Sequence, residues 1–411
     1  MQQPKATFLD RLSYPLAALF AMDKLLKLIA AWHFFHRPLP PTPQPWPTVS
    51  LLQPITRGAS DLLNALRTRT KLDYPATIQH VLICDASDEE SQSIVSSFLT
   101  EFPTLQVKVI LVPSEDTFAT TATSDTTATS DTLVATKIKK IQAALPSASG
   151  EVLCFVDDDV SLRPQSLNVL IPYLFQPEVG VAFGLPCFTN WQTIWSSLVS
   201  GLINAHMVLS FVALSYLTDP FRINGHIFAF RRAVFMEIGG FDGLEQYIDD
   251  EYEIARRVRM HHLRTIQTPL IYDIDNALST RKEYSKQFKR WFVMPRQAMM
   301  PSLTPAERVV ASLSSVSLPI PSVIAMLTLL TRRRPAIVAL GTTLTLFGAV
   351  YALCEKQYLL RTTPRHRWLL LPIVAFWSPV QIIWTLLLNN EVEWRGQRLR
   401  LLRGGKVEIV S

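Results

Sequence analysis

Three apolar stretches near the C-terminus limit what this chain can fold into more than any other feature. Val309 to Leu330, Ala336 to Cys354 and Trp368 to Leu388 each contain no charged residue. Each is about 20 residues long, which at 1.5 Å per helical residue matches a hydrocarbon core of roughly 30 Å. Burying all three in one soluble core would leave their flanking arginines, Arg332 to Arg334 and Arg361, Arg365 and Arg367, without a role. Beside a bilayer those arginines meet lipid headgroups. Three membrane-length segments are therefore expected within residues 301–390. The first is broken by Ser312, Ser314, Ser315, Pro319 and Pro321, so a re-entrant or interfacial path suits it as well as a crossing. Near the other end, Pro15 to Phe35 carries Asp23, Lys24 and Lys27 and lacks the small-residue cleavage site of a signal peptide. It reads as an amphipathic or weak anchor inside an N-terminal membrane or interfacial segment, residues 1–37.

Charge and cysteine usage narrow the classes further. The chain is 48% hydrophobic and 18% charged, with a formal net charge of +6. Its basic residues cluster beside the apolar runs, which favours anionic headgroups and a diphosphate as partners and argues against nucleic acid. Cys84, Cys154, Cys187 and Cys354 are scattered singly. That spacing makes no zinc site and suits a reducing compartment, so an integral membrane protein with a cytoplasmic catalytic domain is expected.

Between the membrane regions lies an α/β pattern. A proline-rich linker, residues 38–48, leads into short strands at Val49–Leu52, Gln79–Cys84, Val107–Val112 and Val152–Val156. Helical stretches alternate with them at Leu62–Thr70, Glu90–Phe102 and Lys137–Leu145. Such alternation predicts a largely parallel sheet that binds ligands beyond the carboxyl ends of its strands. The catalytic domain is assigned to residues 49–300, followed by a basic C-terminal tail over 391–411. Thr121 to Thr126 and Thr127 to Thr132 repeat TATSDT, and a flexible insertion is expected over 117–133.

Four elements carry chemistry. Phe155-Val156 runs straight into Asp157-Asp158-Asp159, and oxygen ligands at a strand end are what Mg²⁺ or Mn²⁺ needs to bridge a diphosphate. Asp157 and Asp159 are the candidate metal ligands, though acidic turns without a metal are common. Asp85 and Asp88 end a second strand on the same sheet edge, where they can hold uracil or ribose; Asp88 can equally cap the following helix. Asp249, Asp250 and Glu251 open a helix, where the helix dipole alone favours acids. A carboxylate there can also take the proton of an acceptor hydroxyl. Finally, Gln287-Phe288-Lys289-Arg290-Trp291 offers Arg290 to a leaving diphosphate and Trp291 as an apolar face for sugar or lipid. A solvated basic helix beside the membrane is the simpler alternative for that segment.

Taken in order, these elements resemble the D, D, D, (Q/R)xxRW signature of inverting family 2 type glycosyltransferases. Within that group the chain is most similar to ceramide glucosyltransferases, family 21. The likeness is carried by Val49 to Pro54, Leu72 to Pro75, Gly184 to Pro186, Gln246 to Ile248 and the tail Trp394 to Arg400 with Gly404-Gly405. It implies a GT-A fold, a UDP-sugar donor, a divalent cation (Mn²⁺ or Mg²⁺) and inversion at the anomeric carbon. It also implies that Lys137, Gln287, Arg290 and Trp291 contact the donor alongside Asp85, Asp88 and Asp157. Where the family has Glu-Asp-Tyr this chain has Asp250-Glu251-Tyr252. Register then points to Glu251 as base and residue type to Asp250, the preferred candidate. The triplet Asp157 to Asp159 is closer to the broader family 2 pattern than to the ceramide enzymes.

Trp191 to Phe221 is apolar and uncharged until Asp219. A crossing there would separate the metal and base elements, so interfacial helices lining a lipid entrance are expected over 191–221. His206 within it resembles the acceptor region of the family, although a lone His in an apolar segment is more often a packing residue. Asn224-Gly225-His226 resembles an acceptor-facing turn, with Gly225 and His226 as candidates; Gly225 can equally serve backbone freedom alone. The expected function is transfer of glucose from UDP-glucose to a ceramide-like lipid hydroxyl. N-acetylglucosamine as the sugar and diacylglycerol or a hopanoid as acceptor remain open. A processive polysaccharide synthase and an inactive lipid-binding scaffold are further alternatives.

Overall fold

The computed structural model describes residues 8–410 apart from 57, 60, 114–135, 245, 246, 248, 395 and 396. The TATSDT repeat and the expected insertion over 117–133 lie outside the described residues, as do Gln246, Ile248, Arg395 and Gly396.

Eight strands form one mixed sheet in the order β3-β2-β1-β4-β7-β6-β8-β5. They are β1 (Val49–Pro54), β2 (Ile78–Asp85), β3 (Val107–Val112), β4 (Val152–Val156), β5 (Val160–Ser161), β6 (Val179–Phe188), β7 (Ile227–Arg231) and β8 (Arg264–Ile274). The four strands from β3 to β4 are parallel, as the alternation with helices requires. β7 then runs antiparallel to both β4 and β6, while β6 and β8 are parallel, so the sheet is parallel mainly in its first half. Every residue of β4 is buried. One face, Val152, Cys154 and Val156, packs into a core with Leu167 and Leu170, and the other, Leu153 and Phe155, into a second with Phe228 and Phe241. Burial on both faces explains the uninterrupted hydrophobic run that delivers Asp157 to the sheet edge. All four cysteines are buried and unpaired.

The linker after residue 37 has no regular structure, and Trp46 within it packs edge-on against Tyr74 at 5.4 Å. Phe8–His36 is a single 29-residue helix that packs on Ile320–Thr331 and Arg334–Cys354. Lys24 and Lys27 on it are buried, and Lys27 pairs with Asp23 at 3.0 Å and donates to the Ser314 carbonyl at 2.7 Å. Met22, Leu25, Leu26, Ile29 and Trp32 are 55–60% exposed on its outer face. Ammonium groups turned inward and apolar side chains outward are the arrangement hydrocarbon surroundings favour.

Three described helices are long and apolar enough to cross a membrane: Ile194–Leu214, Arg334–Leu359 and Arg365–Leu387. The second and third match the expected runs. The stretch from 309 to 330 instead breaks into Pro305–Leu313 and Ile320–Thr331. Prolines interrupt it, and the hydroxyls of Ser312 and Ser314 donate to the carbonyls of Arg308 and Ala311 at 2.7 and 2.8 Å. Ile194–Leu214, within the region expected to line a lipid entrance, is helical throughout, with a π-helical stretch over Met207–Phe211. Of its most apolar stretch 61% is buried within the protein, against 33% for each of the other two. Protein therefore sheathes it more than it sheathes the others.

Residues after 390 are not a plain tail. β9 (Glu391–Trp394), β10 (Gln397–Leu401) and β11 (Val407–Ile409) make an antiparallel sheet against the helix Arg281–Gln297. Val392, Leu399 and Leu401 pack on Val293 and Met294, Lys286 pairs with Glu393, and Arg296 donates to the Leu388 carbonyl at 3.0 Å. The small sheet thereby fixes the helix that carries Arg290 and Trp291.

Candidate active site

The carboxyl ends of β1 and β4 set the position of the acidic triplet. Asp157 donates its N–H to the His226 carbonyl at 2.9 Å and accepts at its own carbonyl from Gln53 Nε2 at 2.8 Å. Asp158 accepts from the Thr56 N–H, and half-buried Asp159 has a buried Oδ1 that lacks a hydrogen-bond partner among the described residues. Burial, then the charges of Asp157 and Asp158, push the Asp159 carboxyl well above the usual carboxylate range. Lys137, in the first turn of the helix Thr136–Ala144, meets Asp157 Oδ1 at 2.6 Å and donates to the Gly225 carbonyl at 3.0 Å. Burial would lower its pKa, but Asp157, Asp250 and Glu251 around it outweigh that and hold the ammonium charged.

Asp249, Asp250 and Glu251 are sequence neighbours with different environments. Asp249 caps the helix Asp250–Met260, accepting from the Tyr252 N–H at 3.2 Å, and lies 3.2 Å from Arg222 Nε. Glu251 pairs with Arg222 Nη2 at 2.5 Å and accepts from the Gly225 N–H at 3.0 Å. Burial would raise the Glu251 pKa, yet Arg222, His226 and Lys137 bring it below the ordinary value. Among the described residues Asp250 accepts only from the Glu251 N–H, at 3.1 Å. Burial pushes its carboxyl up to about 6 against the pull of Lys137, with Glu251, Asp157 and Asp249 adding to the rise. A carboxylate titrating there is suited to take a proton near neutral pH.

Gly225 is glycine because of this packing. A Cβ on it would lie 2.5 Å from Glu251 Oε1 and 2.6 Å from Glu251 Cγ. Gly225→Ala is expected to cost about 1–3 kcal/mol in stability and to lower turnover by displacing Glu251; thermal unfolding and initial rates measure both.

Arg290 and Trp291 project from the helix Arg281–Gln297, which starts with a Thr280–Glu283 capping box. Trp291 meets Phe188 edge-on at 6.0 Å, and Phe188 meets His226 edge-on at 6.4 Å, so an aromatic wall faces the carboxylates.

One cavity of about 990 Å³ joins these groups. Lys137, Asp157 to Asp159, Asp250 and Glu251 line it, as do Arg290, Trp291, His206 and His226. From there it continues between apolar walls that include Leu202, Phe211, Leu214 and Met299. Asp85, Asp88, Asp249, Gln287 and Gly225 are not in its wall. Asp85 accepts from Ser87 N–H at 2.9 Å, and Asp88 caps the helix Glu89–Glu101 through the Ser91 N–H at 3.2 Å. Two wall residues escape sequence reasoning. Arg222, in an irregular segment, and Gln267, in β8, belong to no motif; only a lone amide in an apolar strand marks the second.

The donor set is compatible with a divalent cation, since Asp159 keeps a buried carboxylate oxygen without a partner among the described residues. No cluster of three or more His, Cys, Asp or Glu residues arranged for a metal occurs among them. Few protein ligands suffice for a cation that also takes diphosphate oxygens and water.

The glycosyl transferase family 21 model matches residues 14–407. Among solved structures the chain is similar to mannosyltransferase PcManGT from Pyrobaculum calidifontis, in complex with GDP-Man and Mn²⁺. The TM-score is 0.51 at 19% identity, covering 92% of this chain and 99% of that one, which supports the GT-A fold. GalNAc-T7 with UDP, GalNAc and Mn²⁺ aligns at a TM-score of 0.41 and 15% identity, over 66% of this chain and 54% of that one.

Proposed function

The chain belongs to glycosyl transferase family 21, and on that premise we propose that it transfers glucose from UDP-glucose to the hydroxyl of a membrane lipid, with inversion, on the cytoplasmic face. The observation that carries this reading is the single cavity in which Asp157, Asp250 and Arg290 share space with apolar walls. A hydroxyl on an amphiphile reaches the carboxylates there while its chains stay among Leu202, Phe211 and Leu214.

In this reading the hydroxyl proton passes to Asp250 as its oxygen bonds to the anomeric carbon. The bond from that carbon to the diphosphate oxygen breaks, and UDP leaves. Arg222 holds Glu251 and Asp249, so the neighbouring acids stay paired and Asp250 remains the proton acceptor. Lys137 and Arg290 face the departing diphosphate, Trp291 and His226 flank sugar or acceptor, His206 lines the lipid part, and uridine lies toward Asp85 and Asp88 at the end of β2. Asp157 and Asp159 would hold Mn²⁺ or Mg²⁺, which when bound offsets the diphosphate charge. The Mn²⁺ in PcManGT supports that assignment.

The test is transfer by the purified full-length chain in liposomes, with labelled UDP-glucose, UDP-N-acetylglucosamine or GDP-mannose and with ceramide, diacylglycerol or hopanoid acceptors. One labelled glycolipid, abolished by EDTA and restored by Mn²⁺ or Mg²⁺, is expected. A long polymer would replace this reading with a processive synthase, and no product or nucleotide release with any donor would refute it.

A further inference from the structure

Gln267 is buried at 3% exposure in β8, and neither its side-chain oxygen nor its side-chain nitrogen has a hydrogen-bond partner among the described residues. It lines the same cavity as Asp250 and Glu251. Strand alternation puts it on the face of Thr265, whose hydroxyl donates to the Pro220 carbonyl at 2.6 Å. It thus sits beside the segment of Phe221 and Arg222, which also lines the cavity. Both ends of the carboxamide lack a partner, so the point holds whichever way the amide is turned.

A buried amide without partners is costly, whereas leucine at such a position would cost nothing. An amide lining a cavity with apolar walls therefore matches a ligand group that donates and accepts side by side. Resting on the lipid acceptor reading above, we propose that Gln267 is a specificity-determining residue that recognises an amide linkage in the acceptor lipid. Its oxygen accepts from the lipid N–H, and its NH₂ donates to an adjacent oxygen of the same lipid. Ester-linked lipids offer no such donor and leave the Gln267 oxygen unsatisfied. A site built to hydrogen-bond a group discriminates strongly against analogues that lack it.

The experiment measures binding without any donor, by native mass spectrometry of the full chain in detergent. The probes are a long-chain N-acyl amino alcohol, its N-methyl amide and its ester-linked analogue, all with the same chains and hydroxyl. The wild-type chain is expected to bind the amide about 10- to 100-fold more tightly than either analogue. In Gln267→Leu that preference disappears while the thermal midpoint holds or rises, because a partnerless amide has been replaced by an apolar group. Equal binding of the three lipids by wild type, or an intact amide preference in Gln267→Leu, overturns the proposal. A clear loss of thermal stability in Gln267→Leu also overturns it, by revealing a structural partner. The wild-type series decides the matter even if the variant does not fold. Failure of sugar transfer with all three lipids while the amide preference stands would count against the proposed activity and leave Gln267 as a lipid-recognition residue.

Discussion

Asp250→Asn is expected to lower turnover by about 10²- to 10⁴-fold while donor binding stays near wild type. The reasoning rests on what each of three neighbouring acids already does. Asp249 is spent on a helix cap and Arg222, and Glu251 on Arg222 and the Gly225 N–H. Asp250 has no salt bridge among the described residues, lines the cavity and is pushed up to about 6, chiefly by burial. The active form of a general base is deprotonated. Turnover should therefore climb as pH rises through about 6 and level off above it, and the asparagine variant should lack that acid limb. Glu251→Gln behaves differently, because it weakens one of the two carboxylate partners of half-buried Arg222, which keeps Asp249 at 3.2 Å, and should cost about 1–3 kcal/mol of stability. Wild-type turnover in Asp250→Asn together with its loss in folded Glu251→Gln would move the base to Glu251.

Sequence reasoning reached the sheet and the acidic clusters because period and motif are local. β1 to β4 were legible as hydrophobic runs with helices between them, and the Asp157 triplet as the abrupt end of one run. What it missed depends on distant partners. Lys24 and Lys27 looked like the polar face of a surface helix; they point inward because Ser314 and Ser317, nearly 300 residues on, receive them. The sheet that holds the helix of Arg290 looked like a basic tail, since Val392, Leu399 and Leu401 are short signals whose partners lie on another element. Charge pattern alone ranked Asp249 with Asp250 and Glu251. Their distant partners separate them: Arg222 from an irregular segment pairs with Asp249 and Glu251, and the Gly225 N–H donates to Glu251.

In Asp157→Ala, transfer should fall by at least about 10³-fold, and the response to cation is the more telling measurement. Asp157 does two opposing things in the free protein. It pairs with Lys137 at 2.6 Å, which is favourable, and it crowds Asp158 and Asp159, which is not. Truncation removes both contributions, so the stability of the free protein should change little. Binding is another matter, because a ligand present at 100 times its dissociation constant stabilises the folded state by about 2.7 kcal/mol. Wild-type chain should gain a clear rise in thermal midpoint with Mn²⁺ and UDP together, and Asp157→Ala should gain none. Lys137→Met gives the complementary case, since it leaves the triplet carboxylates and removes the ammonium that pairs with Asp157 and faces the diphosphate. If Asp157→Ala still shows the full midpoint rise with Mn²⁺ and UDP, the triplet is not the metal site, and Asp157 serves only to position Lys137.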